Sequence, residues 1–210
     1  MSIKISSLKE KMQQALTSTK KVISGDFVNK NEKKINTNDK LSETLTIDGL
    51  SSPQDFIRLR AEFDSSALET KFSDKKIFKN NLPKNPTYKT LYTLAEKTRY
   101  ELLGCQMLKG VEKNLKQNYY QVINAKKEQR INVKEDVIVS EAFELYLLKN
   151  FQKIKLNPIS EKKLSFWEKD FDKSIKEHIN FLNKNLEHQK VYCSKFSEIL
   201  QIFQEFLEII

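Results

Sequence analysis

The chain has 210 residues, of which 39% are hydrophobic and 31% charged, so it can form one soluble domain or a domain with a helical extension. Its four glycines and four prolines argue against a sheet-rich fold with many tight turns and favour an all-α fold. The formal net charge of +9 could attract a polyanion, but nearly all of it is lysine, and arginine is the better reader of phosphate. We therefore expect the basic charge to be mainly compositional, and nucleic acid is not the expected partner.

The first 50 residues are expected to form a separate N-terminal segment. Apolar residues at helical spacing predict an amphipathic helix over residues 5–21. Residues 26–48 are rich in Asn and Lys and contain two short β-like runs, which could pair as a small β-ribbon: Phe27–Val28 and Thr44–Ile47. A disordered loop is the alternative for this stretch.

A helical core is expected over residues 51–160. It opens at Ser52–Pro53, where a helix N-cap residue is followed by a proline suited to the first helical turn. Residues 71–87 form a basic connector that interrupts the helical periodicity and holds two prolines, so they are the best candidate for a loop.

The densest pattern lies at residues 91–115, within this core. Apolar residues before Gly104 fall on one helical stripe, and those after it fall on a second stripe rotated by roughly a third of a turn. A glycine inside a helix costs about 1 kcal/mol relative to alanine, so we predict a kink or a helix-to-helix turn at Gly104, giving a kinked central helix pair.

Two charged residues, Arg99 and Glu101, fall on the borders of the first stripe. They should therefore be half-buried, and half-buried charges need partners. The candidates are Glu96, one turn away, and Arg58 or Arg60 on the preceding helix.

Residues 161–210 are expected to form a third segment. From residue 164 onward there is no Gly or Pro, and apolar residues recur at near-heptad spacing. One continuous helix of this length would be about 70 Å long, which exceeds a compact domain of this size. The segment should therefore fold back as a hairpin around residues 183–188, or project as a stalk.

Seven residues of the central pattern stand in the order E-x-x-R-x-E-x-x-G-x5-G-V-x-x-N: Glu96, Arg99, Glu101, Gly104, Gly110, Val111 and Asn114. This string resembles the amino-terminal region of the CobT family, subunits of the aerobic, ATP-dependent cobaltochelatase. Weaker similarity flanks it at Arg58–Leu68, Phe166–Ile175 and Leu186–Phe196. On this comparison we expect the chain to lack the acidic linker and the C-terminal von Willebrand A domain of full-length CobT.

The resemblance implies an assembly or coupling module for a CobS-type AAA+ ATPase, in a complex with a CobN-type large subunit. That complex inserts cobalt into hydrogenobyrinic acid a,c-diamide during cobalamin biosynthesis. ATP, Mg²⁺ and cobalt would be bound by the partner subunits, and this chain would have neither a cofactor nor a catalytic site of its own. The residues Glu96, Arg99, Glu101, Gly104, Gly110 and Asn114 would serve either to hold the helices together or to contact a partner.

No catalytic constellation is apparent in the sequence. Gly104 and Gly110 have the wrong spacing for a phosphate loop, and Val111 stands where such a loop needs Lys. His178 and His188 lack metal-ligand spacing. The cysteines, Cys105 and Cys193, are expected to be free thiols. No apolar run approaches the length of a membrane span and no signal region is apparent, so we expect a cytoplasmic protein.

The alternative function is a basic helical protein that binds nucleic acid or acts as a scaffold. It would use the lysine-rich connector between residues 71 and 89 and the face between Lys109 and Lys116. Binding of this kind weakens steeply as the salt concentration rises.

Overall fold

The computed structural model describes residues 2–25, 52–125 and 131–208, with side chains described for residues 10–25, 52–125 and 131–204. Over these residues the regular structure is entirely helical, which confirms the predicted all-α fold. The stretch predicted as a β-ribbon or loop, residues 26–48, lies outside the described residues. Within the described ranges, no helix is both long enough and apolar enough to cross a membrane.

The helices occur in this order: α1 (Ser2–Ser24), α2 (Pro53–Phe72), α3 (Lys75–Asn80), α4 (Pro86–Met107), α5 (Lys109–Ala125), α6 (Val139–Asn150), α7 (Pro158–Ser165), α8 (Glu168–Ile175), α9 (Ile179–Lys184) and α10 (Gln189–Glu208). Single 3-10 turns lie before α6 and between α8 and α9.

Three of these helices begin at a capping residue followed directly by proline. Ser52 forms a capping box with Asp55, as its Oγ accepts a hydrogen bond from the backbone N–H of Asp55 at 3.2 Å. The side chains of Asn85 and Asn157 accept backbone N–H groups at the starts of α4 and α7, at 2.9 and 2.8 Å. These bonds satisfy donors that a helix leaves unpaired at its N-terminus, and the start predicted at Ser52–Pro53 is confirmed.

The connector predicted as a loop contains the short helix α3. Asp74 caps this helix, because its Oδ1 accepts the backbone N–H of Lys76 at 2.7 Å and of Ile77 at 3.3 Å. The apolar residues Ile77 and Phe78 pack against the core, and α3 lies against α10. The expectation of a plain loop is therefore wrong for residues 75–80, where local capping and two apolar side chains stabilise a helix.

Helix α4 is the centre of the molecule, since it packs against α2, α5, α6 and α10. Its buried residues are distributed around the helix instead of along one stripe. Tyr100, which lies towards the side of the helix opposite the apolar stripe, is only 8% exposed. The single-stripe expectation is wrong because α4 has neighbours on several sides.

The break between α4 and α5 lies at Leu108, so the helix-to-helix turn predicted at Gly104 occurs four residues later. Leu108 has an extended backbone (φ −133°, ψ 101°), and its N–H donates to the carbonyl of Gly104 at 2.9 Å. Gly104 itself is helical and faces Leu68 of α2. A Cβ at position 104 would lie 2.3 Å from Leu68 Cδ1, so this glycine is needed for close packing of two helices.

The last third of the chain is interrupted instead of forming one long helix. The chain turns at residues 185–188, and α10 then packs against α8 and α4. The apolar face of α10 is buried in the molecule: Tyr192, Cys193, Phe196, Ile199, Leu200 and Phe203. Over residues 189–204 this helix is thus part of the core and does not project as a stalk.

Phe171 of α8 joins three helices through aromatic contacts. Its ring centroid lies 5.3 Å from Phe143 and 5.3 Å from Tyr146, both on α6, and 5.3 Å from Phe203 on α10. Aromatic pairs at such distances contribute about 0.5–1.5 kcal/mol each beyond their buried area. The segment Phe166–Ile175, which carries weak family similarity, thus supplies a central residue of the core.

Candidate functional site

The first part of the site is an ion pair buried inside the molecule. Arg99 and Glu96 lie three residues apart on α4 and are 1% and 3% exposed. The guanidinium binds the carboxylate through two bonds, Nε to Oε2 and Nη2 to Oε1, both of 2.8 Å. The predicted pair between Arg99 and Glu96 is therefore present, and it is fully buried.

Arg99 also binds two backbone carbonyls on separate elements. Its Nη2 donates to the carbonyl of Phe72, the last residue of α2, at 2.6 Å, and its Nη1 donates to the carbonyl of Leu186 at 2.8 Å. The last carbonyls of a helix have no partner within the helix. One guanidinium thus joins α4 to the end of α2 and to the turn that precedes α10.

Glu96 is the acceptor for side chains from the same two junctions. Its Oε1 accepts from Ser73 Oγ at 2.7 Å and from Gln189 Nε2 at 2.8 Å, and its Oε2 accepts from Cys193 Sγ at 3.4 Å. Burial, and then the negative charge of Glu96, raise the pKa of the Cys193 thiol to about 12. The thiol therefore keeps its proton and remains a donor at neutral pH.

Glu101 forms a second buried centre, with partners on three elements. It is 1% exposed and accepts from Ser65 Oγ of α2 at 2.7 Å, Tyr119 OH of α5 at 2.5 Å, and Gln152 Nε2 after α6 at 3.1 Å. Burial, followed by the charge of Glu101, raises the pKa of Tyr119 well above its ordinary value, so the phenol stays protonated. A weak ion pair to the partly exposed Lys97, at 3.9 Å, completes the set.

Asn114 provides the third polar link, from α5 to α2. Its Nδ2 donates to Oδ2 of Asp64 at 2.7 Å, and Asp64 is 3% exposed. Burial raises the pKa of Asp64, while the hydrogen bond from Asn114 and the charge of Arg60 act in the opposite direction. The positive charge of Arg60 thus lowers the pKa of Asp64, and Arg58 forms an exposed ion pair with Glu62. Neither arginine is bonded to Glu101.

The two glycines of the motif differ in how closely other residues pack around them. Gly104 lies against Leu68, as described above, whereas a Cβ at Gly110 would meet nothing within 4 Å. Gly110 therefore has neither a close neighbour nor a positive φ that would require a glycine. Gly110 lies at the exposed α4–α5 corner, beside Met107 and Leu108, which are 55% and 38% exposed.

Several partners of the motif residues lie in the flanking segments that carry weak family similarity. The segment 58–68 supplies Asp64, Ser65 and Leu68, and the segment 186–196 supplies Leu186, Gln189 and Cys193. Sequence reasoning missed most of these partners because they are uncharged or are backbone atoms, and it missed Asp64 because its partner, Asn114, is neutral. The flanking similarity nevertheless marked their positions. Whether any motif residue also contacts another protein stays a prediction.

Among the described residues, no group of three or more His, Cys, Asp or Glu side chains is arranged to hold a metal ion. His178 lies 3.3 Å from the exposed Glu177. Both cysteines, Cys105 and Cys193, are free thiols.

Comparison with protein families gives a match over residues 6–207 to the family described as cobalamin biosynthesis protein CobT. Comparisons with curated proteins and with solved structures give no match. The matched range includes the buried network on α4 and both flanking segments. The chain therefore belongs to the CobT family, and its role is in cobalamin biosynthesis.

Proposed function

We propose that the chain is a non-catalytic subunit of an ATP-dependent cobaltochelatase and couples a CobS-type AAA+ ATPase to a CobN-type large subunit. In this complex the ATPase binds ATP and Mg²⁺, and cobalt is inserted into hydrogenobyrinic acid a,c-diamide by the assembly. The observation that carries the proposal is the CobT family match over residues 6–207.

The site supports a coupling role because its buried charged side chains bind partners on other helices of the same chain. Arg99, Glu96 and Glu101 together connect α4 to α2, α5, the end of α6 and α10. Packed and hydrogen-bonded cores resist gradual deformation. A displacement applied to one helix by a partner would therefore move its neighbours, which is what a subunit between an ATPase and a chelatase requires.

The apolar seam of the C-terminal helix α10 does not provide the contact with the ATPase. That seam is buried within this chain, since Phe196 is 0% and Phe203 2% exposed. The α4–α5 corner offers the exposed Met107 and Leu108 beside Gly110, the motif residue without a close neighbour. We propose this corner as the contact for the AAA+ subunit.

A pull-down from a lysate of the chain's own organism, followed by mass spectrometry, tests both the proposed function and the proposed contact at the α4–α5 corner. The parent chain should recover an AAA+ ATPase and a large chelatase subunit. The variant Met107→Asp/Leu108→Asp should lose the ATPase, whereas the control Val122→Asp/Ile138→Asp should retain it, because Val122 and Ile138 are also exposed apolar residues (45% and 68%) but lie elsewhere.

The outcomes separate the function from its location. If the parent chain recovers neither subunit, or if the isolated chain hydrolyses ATP, the proposed function is wrong. If the ATPase is recovered equally with the parent and the corner variant, only the position of the contact is wrong.

A further inference from the structure

Lysines of the segment 71–89, the lysine connector, have no acidic partners among the described residues. The segment contains six lysines and one carboxylate, that of Asp74. Asp74 is occupied as the N-cap of α3, where it accepts two backbone N–H groups. Exposed lysines of this segment form no ion pair with a described residue: Lys71, Lys75, Lys76, Lys79, Lys84 and Lys89.

Many lysines elsewhere in the described structure are paired. Lys149 binds two carboxylates at 3.0 Å, Lys116 binds Glu112 at 2.7 Å, and Lys134 binds Asp170 at 2.6 Å. Ion pairs of this kind reduce the local positive potential. The lysine connector is therefore a continuous stretch of the described surface whose positive charge is not offset by ion pairs.

An open groove of about 570 Å³ lies where the lysine connector meets the start of α10. Its walls include the apolar side chains of Phe72, Ile77 and Val191, of which Val191 is 42% exposed. Lys71 and Lys190 also line it. The groove thus combines an apolar surface that can hold a side chain with cationic groups beside it.

The charge around the groove is positive after its acidic residues are counted. The carboxylates are Asp74, which caps α3, and the exposed Glu187. Against these two stand five lysines of the groove and of the adjoining α3: Lys71, Lys75, Lys76, Lys79 and Lys190. The surface therefore favours an anionic partner.

The groove is built on the buried ion pair of α4. Ser73 and Gln189 line the groove, and both donate to the carboxylate of Glu96. Arg99 holds the two walls together through the carbonyls of Phe72 and Leu186. The central motif thus fixes the distance between the walls, so the groove is a preformed site.

We propose that this groove and the lysines of α3 bind an acidic protein segment, with one apolar side chain of that segment held between Phe72, Ile77 and Val191. The binding energy comes from burial of the apolar side chain, and the lysines speed association and select an acidic sequence. The inference does not depend on the ATPase assignment or on the contact at the α4–α5 corner.

A protein segment fits this surface better than a nucleic acid. The four arginines are at positions 58, 60, 99 and 130, so the lysine connector contains none, and bidentate recognition of phosphate depends on arginine. Binding of single strands also relies on exposed aromatic rings that stack with bases. The groove contains only one described Phe, Tyr or Trp residue, Phe72, so it offers no row of rings on which successive bases could stack.

The test uses fluorescence anisotropy with the full chain and a short labelled peptide of glutamates around one central leucine. The variant Lys75→Gln/Lys76→Gln/Lys79→Gln should weaken binding about tenfold. The control Lys155→Gln/Lys162→Gln/Lys169→Gln removes the same charge from exposed lysines outside the groove and should have little effect.

A peptide with serine in place of leucine should bind several-fold more weakly to the parent chain, and Val191→Ser should abolish that difference.

Three results would overturn the proposal: no binding of the acidic peptide, equal weakening by the two triple variants, or tighter binding of a single-stranded oligonucleotide of the same charge. Circular dichroism spectra of all variants should match that of the parent, since each substituted side chain is exposed. If the spectrum of the α3 variant differs, the single variant Lys76→Gln and Val191→Ser provide the same comparison.

Discussion

At the scale of single residues, Arg99 is the group on which the buried network depends. It is 1% exposed and donates four hydrogen bonds, two to Glu96 and one each to the carbonyls of Phe72 and Leu186. A buried ion pair is not in itself strongly stabilising, because both charges lose their hydration. Removing one partner is costly, however, since it leaves the other charge buried without compensation.

Replacing Arg99 by methionine should therefore lower the free energy of unfolding by about 3–5 kcal/mol. The matched control is Arg58→Met, because Arg58 pairs with Glu62 at 2.9 Å on the surface, with the two side chains 51% and 32% exposed. That change should cost only about 0–1 kcal/mol. Urea denaturation of the two variants measures the difference.

The double variant Glu96→Gln/Arg99→Met provides a further check, since it removes the stranded charge. It should be more stable than Arg99→Met alone, which is the non-additivity expected of residues in one network. Equal midpoints for Arg99→Met and Arg58→Met would contradict the structural role of the buried pair.

At the scale of elements, the contact between α2 and α4 depends on Gly104. The helices approach so closely that a Cβ at position 104 would lie 2.3 Å from Leu68 Cδ1 and 2.9 Å from Leu68 Cγ. Leu68 is 1% exposed, so it has little room to move. Gly110, by contrast, is surrounded by open space.

Gly104→Ala should destabilise the protein by about 1–3 kcal/mol through overpacking. Gly110→Ala should leave stability unchanged or raise it by up to about 1 kcal/mol, because alanine is the better helix former. Denaturant midpoints of the two variants give the comparison. Combining Gly104→Ala with Leu68→Ala should cost less than the sum of the single changes, and strict additivity would contradict the contact.

The elements also indicate how far the sequence alone can predict the structure. The start at Ser52–Pro53 and the pair between Glu96 and Arg99 were predictable, because both depend on residues within one turn of each other. The bonds from Ser65 to Glu101 and from Gln189 to Glu96 join residues 36 and 93 positions apart. No local pattern encodes such pairs, and neutral partners carry no charge that would suggest them.

The position of the helix break illustrates a second limit. Glycine in a helix predicts a distortion when only the backbone is considered, which directed the prediction to Gly104. In the structure the neighbouring helix requires the small residue, and the break occurs at Leu108. A glycine required by packing cannot be told from a glycine that interrupts a helix until the neighbouring element is known.

At the scale of the whole molecule, α10 is the last of the described helices and one of the most central. Its residues contact α3, α4 and α8, and Phe196 is fully buried. Deleting residues 186–210 would remove Leu186, Gln189 and Cys193 from the network on α4. Loss of partner binding after such a deletion would therefore report loss of the fold, so exposed point substitutions are the better probes of an interface.

The environment of Cys193 makes this thiol a reporter of how often the molecule opens. Cys193 is 1% exposed, and its pKa is raised to about 12 by burial and by Glu96. Alkylating reagents react with the thiolate, so the folded protein should be almost inert at this position at neutral pH. Labelling should occur only when α10 separates from α4, and its rate should then follow the opening equilibrium.

Mass spectrometry of the alkylated peptide, with Cys105 as the internal comparison, measures that rate, and rapid labelling of Cys193 in the native protein would contradict the buried position. Because Glu96 belongs to the same network, a ligand bound across the groove should slow the alkylation of Cys193. The alkylation rate would then report partner binding from inside the protein.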